Sequence, residues 1–400
     1  MAVVLPWILL ANVGNRLLTV TTQLMVGFLL VPEQVGIFVV AASLAGLVSP
    51  FQSADHARLA LQDRAAAPAT AAVLRNWLLL GSLAGCVLAI AVLPFVGVDV
   101  EIAPLVCLAP LALLRVMANV RVTLLSSDGR SAAIAVAYAC EGGARSLALI
   151  GSALLGAGMW SLVAGEVAAV LASVVLLARL EPRPVPGGWR MPPGLLRRLL
   201  MTLGVALLVG VEVNCAAVAI GQLVGTASAG SFAFANRIAA QLGVLVLPLI
   251  LLESLPRLLV ARDDATAFRA ASRREVHRLL LIVAPLACLL LAAGPLAMVM
   301  LWGERWREAA GLLAWLAPAI GLRLGYALAK AHLEALAAFP RILQLSALDT
   351  VLILSAVVLA GWSGEATAVV MALAGEALFI LFVAVVVVRR TMPRSPLEQP

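Results

Sequence analysis

The chain of 400 residues is poor in charge. Asp, Glu, Lys and Arg make up only 12% of it, against 63% for the apolar set that includes Ala, Val, Ile and Leu. A soluble domain carries about 25% charged and about 45–50% apolar residues, and more than half of its surface must still face water. So little charge excludes a soluble protein and leaves an integral membrane protein. Period-two alternation is also missing, which excludes an outer-membrane barrel. Cysteine is sparse: Cys86, Cys107, Cys140, Cys215 and Cys288 lie in apolar stretches with no CxxC spacing, reading as small buried packing residues and not as a disulfide framework or metal site. The histidines His56, His277 and His332 are scattered, and no nucleophile stands with its base. No catalytic residue, metal or cofactor is expected. The first residues, Met1-Ala2-Val3-Val4-Leu5-Pro6, lack a basic n-region and cleavage site and read as the start of a retained span.

What the chain does have is apolar runs of about 20 residues. They fall at 6–31, 35–57, 71–93, 102–125, 131–154, 157–179, 197–220, 227–258, 276–301, 308–332, 340–361 and 366–388. Twelve spans put both termini on one side. With that side inside, the inner connections, inner ends and tail hold 21 basic residues, and the outer connections only Arg305 and Arg307. Such a bias predicts that both termini are cytoplasmic. It also accounts for the net charge of +7 without nucleic acid.

The Pro- and Gly-rich stretch 181–196 divides the chain into an N-lobe (1–180, spans one to six) and a C-lobe (197–390, spans seven to twelve), with a cytoplasmic tail at 391–400. Residues 261–275, with Arg262, Arg269, Arg273 and Arg274, predict a short basic helix on the inner leaflet, attracted to anionic lipid by roughly 1 kcal/mol per basic residue. The halves echo each other. Leu108-Ala109-Pro110 precedes Leu114-Arg115, and 208 residues later Leu316-Ala317-Pro318 precedes Leu322-Arg323. Gly36-Ile37-Phe38 and Gly230-Ser231-Phe232 correspond at a distance of 194, and Asp128-Gly129-Arg130 and Phe339-Pro340-Arg341 close the fourth and tenth spans. The predicted fold is therefore all-α: twelve transmembrane helices in two six-helix lobes related by a pseudo-twofold axis along the membrane normal, with a substrate path between them.

Arginine at membrane depth costs at least about 2.5–3.5 kcal/mol on insertion scales and seldom faces lipid. Asn12, Arg16, Thr19 and Gln23 share one helical face of span one, and Arg323, Tyr326, Lys330 and Glu334 one face of span ten. Arg115 with Asn119, and Asn236 and Arg237 with Gln241, extend the pattern to spans four and eight. These residues are candidates for lining a wet cavity; the alternative is that each Arg pairs with a carboxylate on another helix. Glu141 and Arg145, four apart in span five, read as a local ion pair. Glu166, Glu212, Asp349 and Glu376 stand as unpaired carboxylates within spans and are candidates for H⁺ or Na⁺ coupling, Glu212 beside Asn214 foremost. Guanidinium grips phosphate oxygens bidentately and stays charged, so an arginine-lined cavity suits a polyanionic cargo.

Several segments resemble polysaccharide-biosynthesis flippases of the multidrug/oligosaccharidyl-lipid/polysaccharide exporter superfamily. They are the run from Gly27 to Phe38, Ser231-Phe232-Ala233-Phe234-Ala235-Asn236-Arg237-Ile238, Leu301-Trp302-Gly303-Glu304-Arg305-Trp306 with Ala309-Ala310, and Asp128-Gly129-Arg130. The resemblance implies a two-lobed transporter that carries undecaprenyl-pyrophosphate-linked oligosaccharide from inner to outer leaflet by alternating access, for O-antigen, capsule or exopolysaccharide. Lipid II flippases of the superfamily keep cavity arginines on spans one, two and eight. Arg16 and Arg237 lie on matching spans; span two has no mid-span arginine, and Arg58 stands near its inner end. No thirteenth or fourteenth span follows. The partners implied are the lipid-linked oligosaccharide, membrane lipid, a coupling H⁺ or Na⁺, and polysaccharide polymerase or export proteins. The competing readings are a cation-coupled multidrug-type antiporter of the same fold, a membrane-embedded polymerase or acyltransferase, and a non-transporting scaffold.

Overall fold

In hydrocarbon a segment has to satisfy its own backbone N–H and C=O groups, and these Ala-, Leu- and Val-rich runs do so as helices. The computed structural model describes residues 4–46, 51, 67–92, 102–181, 188–191 and 194–392. Among them there is no strand, and the elements in order are α1 (Val4–Leu29), α2 (Pro32–Gly46), α3 (Ala67–Val92), α4 (Ile102–Leu108), α5 (Leu111–Ser127), α6 (Ser131–Leu154), α7 (Trp160–Leu180) and α8 (Leu195–Leu223). Then come α9 (Thr226–Leu249), α10 (Leu255–Ala261), α11 (Ala265–Trp302), α12 (Arg307–Ala335), α13 (Phe339–Gly361) and α14 (Ala366–Thr391). Ten stretches among the described residues are long and apolar enough to cross a membrane, and the first two runs contribute the shorter Leu18–Leu29 and Pro32–Gly46. Asp55, His56, Arg58 and Arg64 lie outside the described residues, as do 182–187 of the linker and the tail from 393. Large side chains such as Leu147, Leu289, Leu296, Met300 and Phe382 are exposed, as a lipid-facing surface requires and a water-facing one disfavours.

Three runs depart from the simple spans expected. The fourth is two helices, because Pro110 has no N–H to donate back and its ring clashes with the carbonyl four residues earlier. Cys86 donates its thiol to the Ala109 carbonyl at that break, 3.2 Å away. Pro318, the counterpart in the second copy, stays inside α12, which α9, α11 and α14 enclose. The eighth run is α9, a π-helical turn at Ile250–Ser254, and α10 with proline in its first positions; the wider turn carries the chain past the missing proline donor. The ninth overturns the expected separate basic helix. Asp264 caps α11 by accepting from the Thr266 and Ala267 backbone N–H groups at 2.8 and 3.3 Å, and the helix then runs for 38 residues. At 1.5 Å per residue that is about 57 Å, against about 30 Å of hydrocarbon. The basic segment is the first turns of a spanning helix.

The described chain forms two compact units, Met1–Asn214 and Cys215–Pro400. Their boundary lies inside α8. In the first unit α2 packs on α4, α3 on α5, α5 on α7 and α6 on α7. In the second, α9 packs on α12, α11 on α12, α12 on α14 and α13 on α14. By run number these are the same four pairings, displaced by six. Leu74, Leu78, Val116 and Leu124 anchor the first core, joined by Leu195 and Leu199 from the start of α8. Tyr326, Leu333, Leu345, Ile380 and Ala384 form the second.

Candidate functional site

Among the described residues each unit holds an ionic cluster built from three of its long helices. In the first, Glu166 on α7 receives two arginines. Arg115 of α5 donates through Nη2 to Oε2 at 2.9 Å, and Arg145 of α6 meets Oε1 through Nε and Oε2 through Nη2, both at 3.2 Å. Arg145 also reaches Glu141, one turn earlier, at 3.5 Å. The i,i+4 pair expected there is thus the weaker half of a four-residue network. Gly165 makes the arrangement possible: a Cβ there would stand 3.2 Å from the Arg145 carbonyl and 3.1 Å from Leu149 Cβ, so its absence lets α7 approach α6 closely. Thr22 Oγ1 donates to Ser146 Oγ at 2.7 Å, tying α1 to the residue beside Arg145.

In the second unit Arg323 of α12 faces two carboxylates. Its Nη1 is 3.4 Å from both oxygens of Asp349 on α13, and its Nη2 donates to Glu376 Oε2 on α14. The Asp349 side chain is fully buried and that of Glu376 nearly so, at 0% and 3% exposure, while Arg323 keeps 26%. The other carboxylate oxygen, Glu376 Oε1, is buried with no hydrogen-bond partner among the described residues.

The clusters are copies. Arg115 and Arg323 are 208 residues apart, as are Glu141 and Asp349, and Glu166 and Glu376 are 210 apart. The one member without a counterpart is Arg145, since the position 208 further on is Ile353, which is buried. The first cluster balances two cations against two anions; the second sets one cation against two.

Sequence reasoning treated Glu166, Asp349 and Glu376 as unpaired, and the structure corrects this: all three share arginines brought by neighbouring helices. Arg115 and Arg323 are held by those same carboxylates. Glu212 and Asn214 are half-buried on α8, and Asn214 donates to the Gly210 carbonyl at 2.7 Å. The side chains of Asn12 and Arg16 lie outside the described residues. Gln23 is half-buried, with its Nε2 buried and unpartnered among the described residues. Asn236, Arg237 and Gln241 are half-buried on α9, and Gln241 donates back to the Arg237 carbonyl at 3.2 Å.

Several residues of the segments that carry the family resemblance pack or tie helices together. Phe234 stacks on Trp306 with centroids 4.1 Å apart and meets Trp302 edge-on at 5.0 Å, pinning α9 to the α11–α12 turn, where Gly303 takes φ 83°. Arg130, after Gly129 at φ 69°, donates to the Leu180 carbonyl at the end of α7 at 2.9 Å. Its counterpart Arg341 donates to Thr391 at the end of α14.

Long apolar helices and a duplicated pairing order, with an ionic cluster in each unit, define a multi-pass membrane protein built from two similar halves. Solved structures with this fold include an inward-facing multidrug resistance MATE family transporter of the MOP superfamily, 16% identical with TM-score 0.72 over 94% of this chain and 95% of that one. The lipid II flippase MurJ in an inward closed conformation matches at 10% identity and TM-score 0.74, over 96% and 87%. A MOP superfamily transporter from Pyrococcus furiosus, described by the reverse polarity of its binding pocket, matches at 15% identity and TM-score 0.57, over 97% and 93%. No curated protein matches by sequence. The family model for polysaccharide biosynthesis proteins matches residues 70–311. The chain belongs to that family.

Proposed function

We propose that the chain is a flippase that moves undecaprenyl-pyrophosphate-linked oligosaccharide from the inner to the outer leaflet by alternating access, supplying cell-surface or extracellular polysaccharide. Membership of the polysaccharide biosynthesis family over residues 70–311 carries this reading, and a fold shared with a lipid II flippase agrees with it. In this reading the twelve runs all span a bacterial inner membrane with both termini cytoplasmic. The two lobes are 1–180 and 197–390, joined by the linker 181–196.

Arg16 on α1 and Arg237 on α9 bind the pyrophosphate, helped by Asn12, Gln23, Asn236 and Gln241. A diphosphate presents several acceptor oxygens, and a guanidinium meets two of them at once without losing its charge. Arg115 and Arg323 act one step back: held by carboxylates, they position the helices. In a strain lacking the chain, the parent restores surface polysaccharide, whereas Arg16→Ala and Arg237→Ala do not, although both reach the membrane at parental abundance. Restoration by both variants to the parental level contradicts the arginine assignment. The fold shared with multidrug transporters keeps one alternative: export of organic cations by the parent, with no effect on polysaccharide, supports an antiporter.

A further inference from the structure

The two clusters differ by one charge in a place where charge is costly. Two carboxylates that adjoin in a low-dielectric site do not both ionise unless cations balance them. Arg145 supplies the second cation in the first unit, and Ile353 takes its place in the second. We propose that Asp349 and Glu376 bind one proton between them, beside Arg323, and that the corresponding cluster of the first unit binds none.

Glu376 Oε1, buried and unpartnered among the described residues, is the oxygen left for that proton. The Asp349 and Glu376 carboxylates both contact the one Arg323 guanidinium. Protonation turns Glu376 into a donor and leaves Asp349 as its acceptor; the cluster then holds one cation and one anion. A metal cation fits less well, because the Arg323 guanidinium already contacts both carboxylates, at 3.4 Å from Asp349 and hydrogen-bonded to Glu376. Besides Arg323, α12 brings Tyr326, whose ring carries Lys330 Nζ at 4.4 Å from its centroid. Asp349 comes from α13, and α14 has no other charged residue before its terminal Arg389 and Arg390. Arg237 is the charged residue of α9. Binding of the proton stands independently of the cargo; only its use in driving transport rests on the flippase reading.

Infrared spectroscopy of the full chain in liposomes near neutral pH tests this directly. The proposal requires the carbonyl-stretch band of one neutral carboxylic acid, shifted in D₂O and lost in a single one-proton step as pH is raised. Glu376→Gln and Asp349→Asn each remove the band, since the remaining carboxylate pairs with Arg323, whereas Glu141→Gln leaves it in place. A parent protein without the band overturns the proposal, as does a band that survives both substitutions. Flipping measured on the same liposomes separates the two claims. A band without flipping keeps the proton site and removes the cargo reading, and flipping without a band does the reverse.

Discussion

Arg115 and Arg145 share Glu166, so removing that carboxylate leaves two cations against Glu141 alone. Because both arginines are more than a third exposed, solvent screening limits the loss in Glu166→Ala to about 1–2 kcal/mol. Arg323→Ala strands two carboxylates that have almost no exposure, and breaking a buried pair from one side costs about 3–5 kcal/mol. Thermal unfolding in detergent should therefore show a clearly larger drop for Arg323→Ala. Equal drops would mean that burial does not set the strength of these clusters. At the water-facing start of α11, side-chain and backbone donors from Thr266 and Ala267 hold the Asp264 carboxyl below its ordinary range. A depressed carboxylate stabilises the fold above its unfolded value and stops doing so as pH falls through its folded one. The protection of the first-turn amides of α11, measured as exchange relative to the intrinsic rate at each pH, should fall on acidification in that range, and Asp264→Ala should show the lower protection at neutral pH already.

The helices meet through small residues and aromatic wedges. Gly165→Val forces a branched side chain against the Arg145 carbonyl and Leu149, an overpacking that costs about 1–3 kcal/mol and pulls α7 away from α6. Trp306 is fully buried against Phe234, and Trp306→Ala should cost about 3–5 kcal/mol; both values are read from thermal unfolding. At this scale the sequence was informative in an uneven way. The run 131–154 coincides with α6 because no proline falls inside it and glycines at positive φ, Gly129 and Gly156, bound it. Pro110 and Pro318 stand in the same motif, yet only the first breaks its helix, and nothing in the structure explains the difference. The partners of Glu166, Asp349 and Glu376 come from other helices, so periodicity along one run does not show them. The spacing of 208 that relates Arg115 to Arg323 also relates Glu141 to Asp349. Reading it for charges as well as for the Leu-Ala-Pro motif would have exposed the duplicated cluster.

Two units repeat the same four helix pairings and the same ionic core, which makes the molecule a duplicated membrane bundle whose copies have diverged at one charge. Composition alone indicated the membrane, and apolar runs of span length gave nearly every helix, because lipid leaves the backbone almost no other choice. Chemistry was harder to read, since a guanidinium in a span can hold a helix or hold a ligand, and only its partners distinguish the two. The direct measurement is reconstitution of the purified chain into liposomes containing a fluorescent polyprenyl-pyrophosphate oligosaccharide in both leaflets, followed by a membrane-impermeant quencher. A flippase exposes the inner-leaflet pool, so quenching passes beyond the outer-leaflet fraction and approaches completion. Arg237→Ala stops at the fraction seen in protein-free vesicles. Parental protein that also stops there contradicts the account.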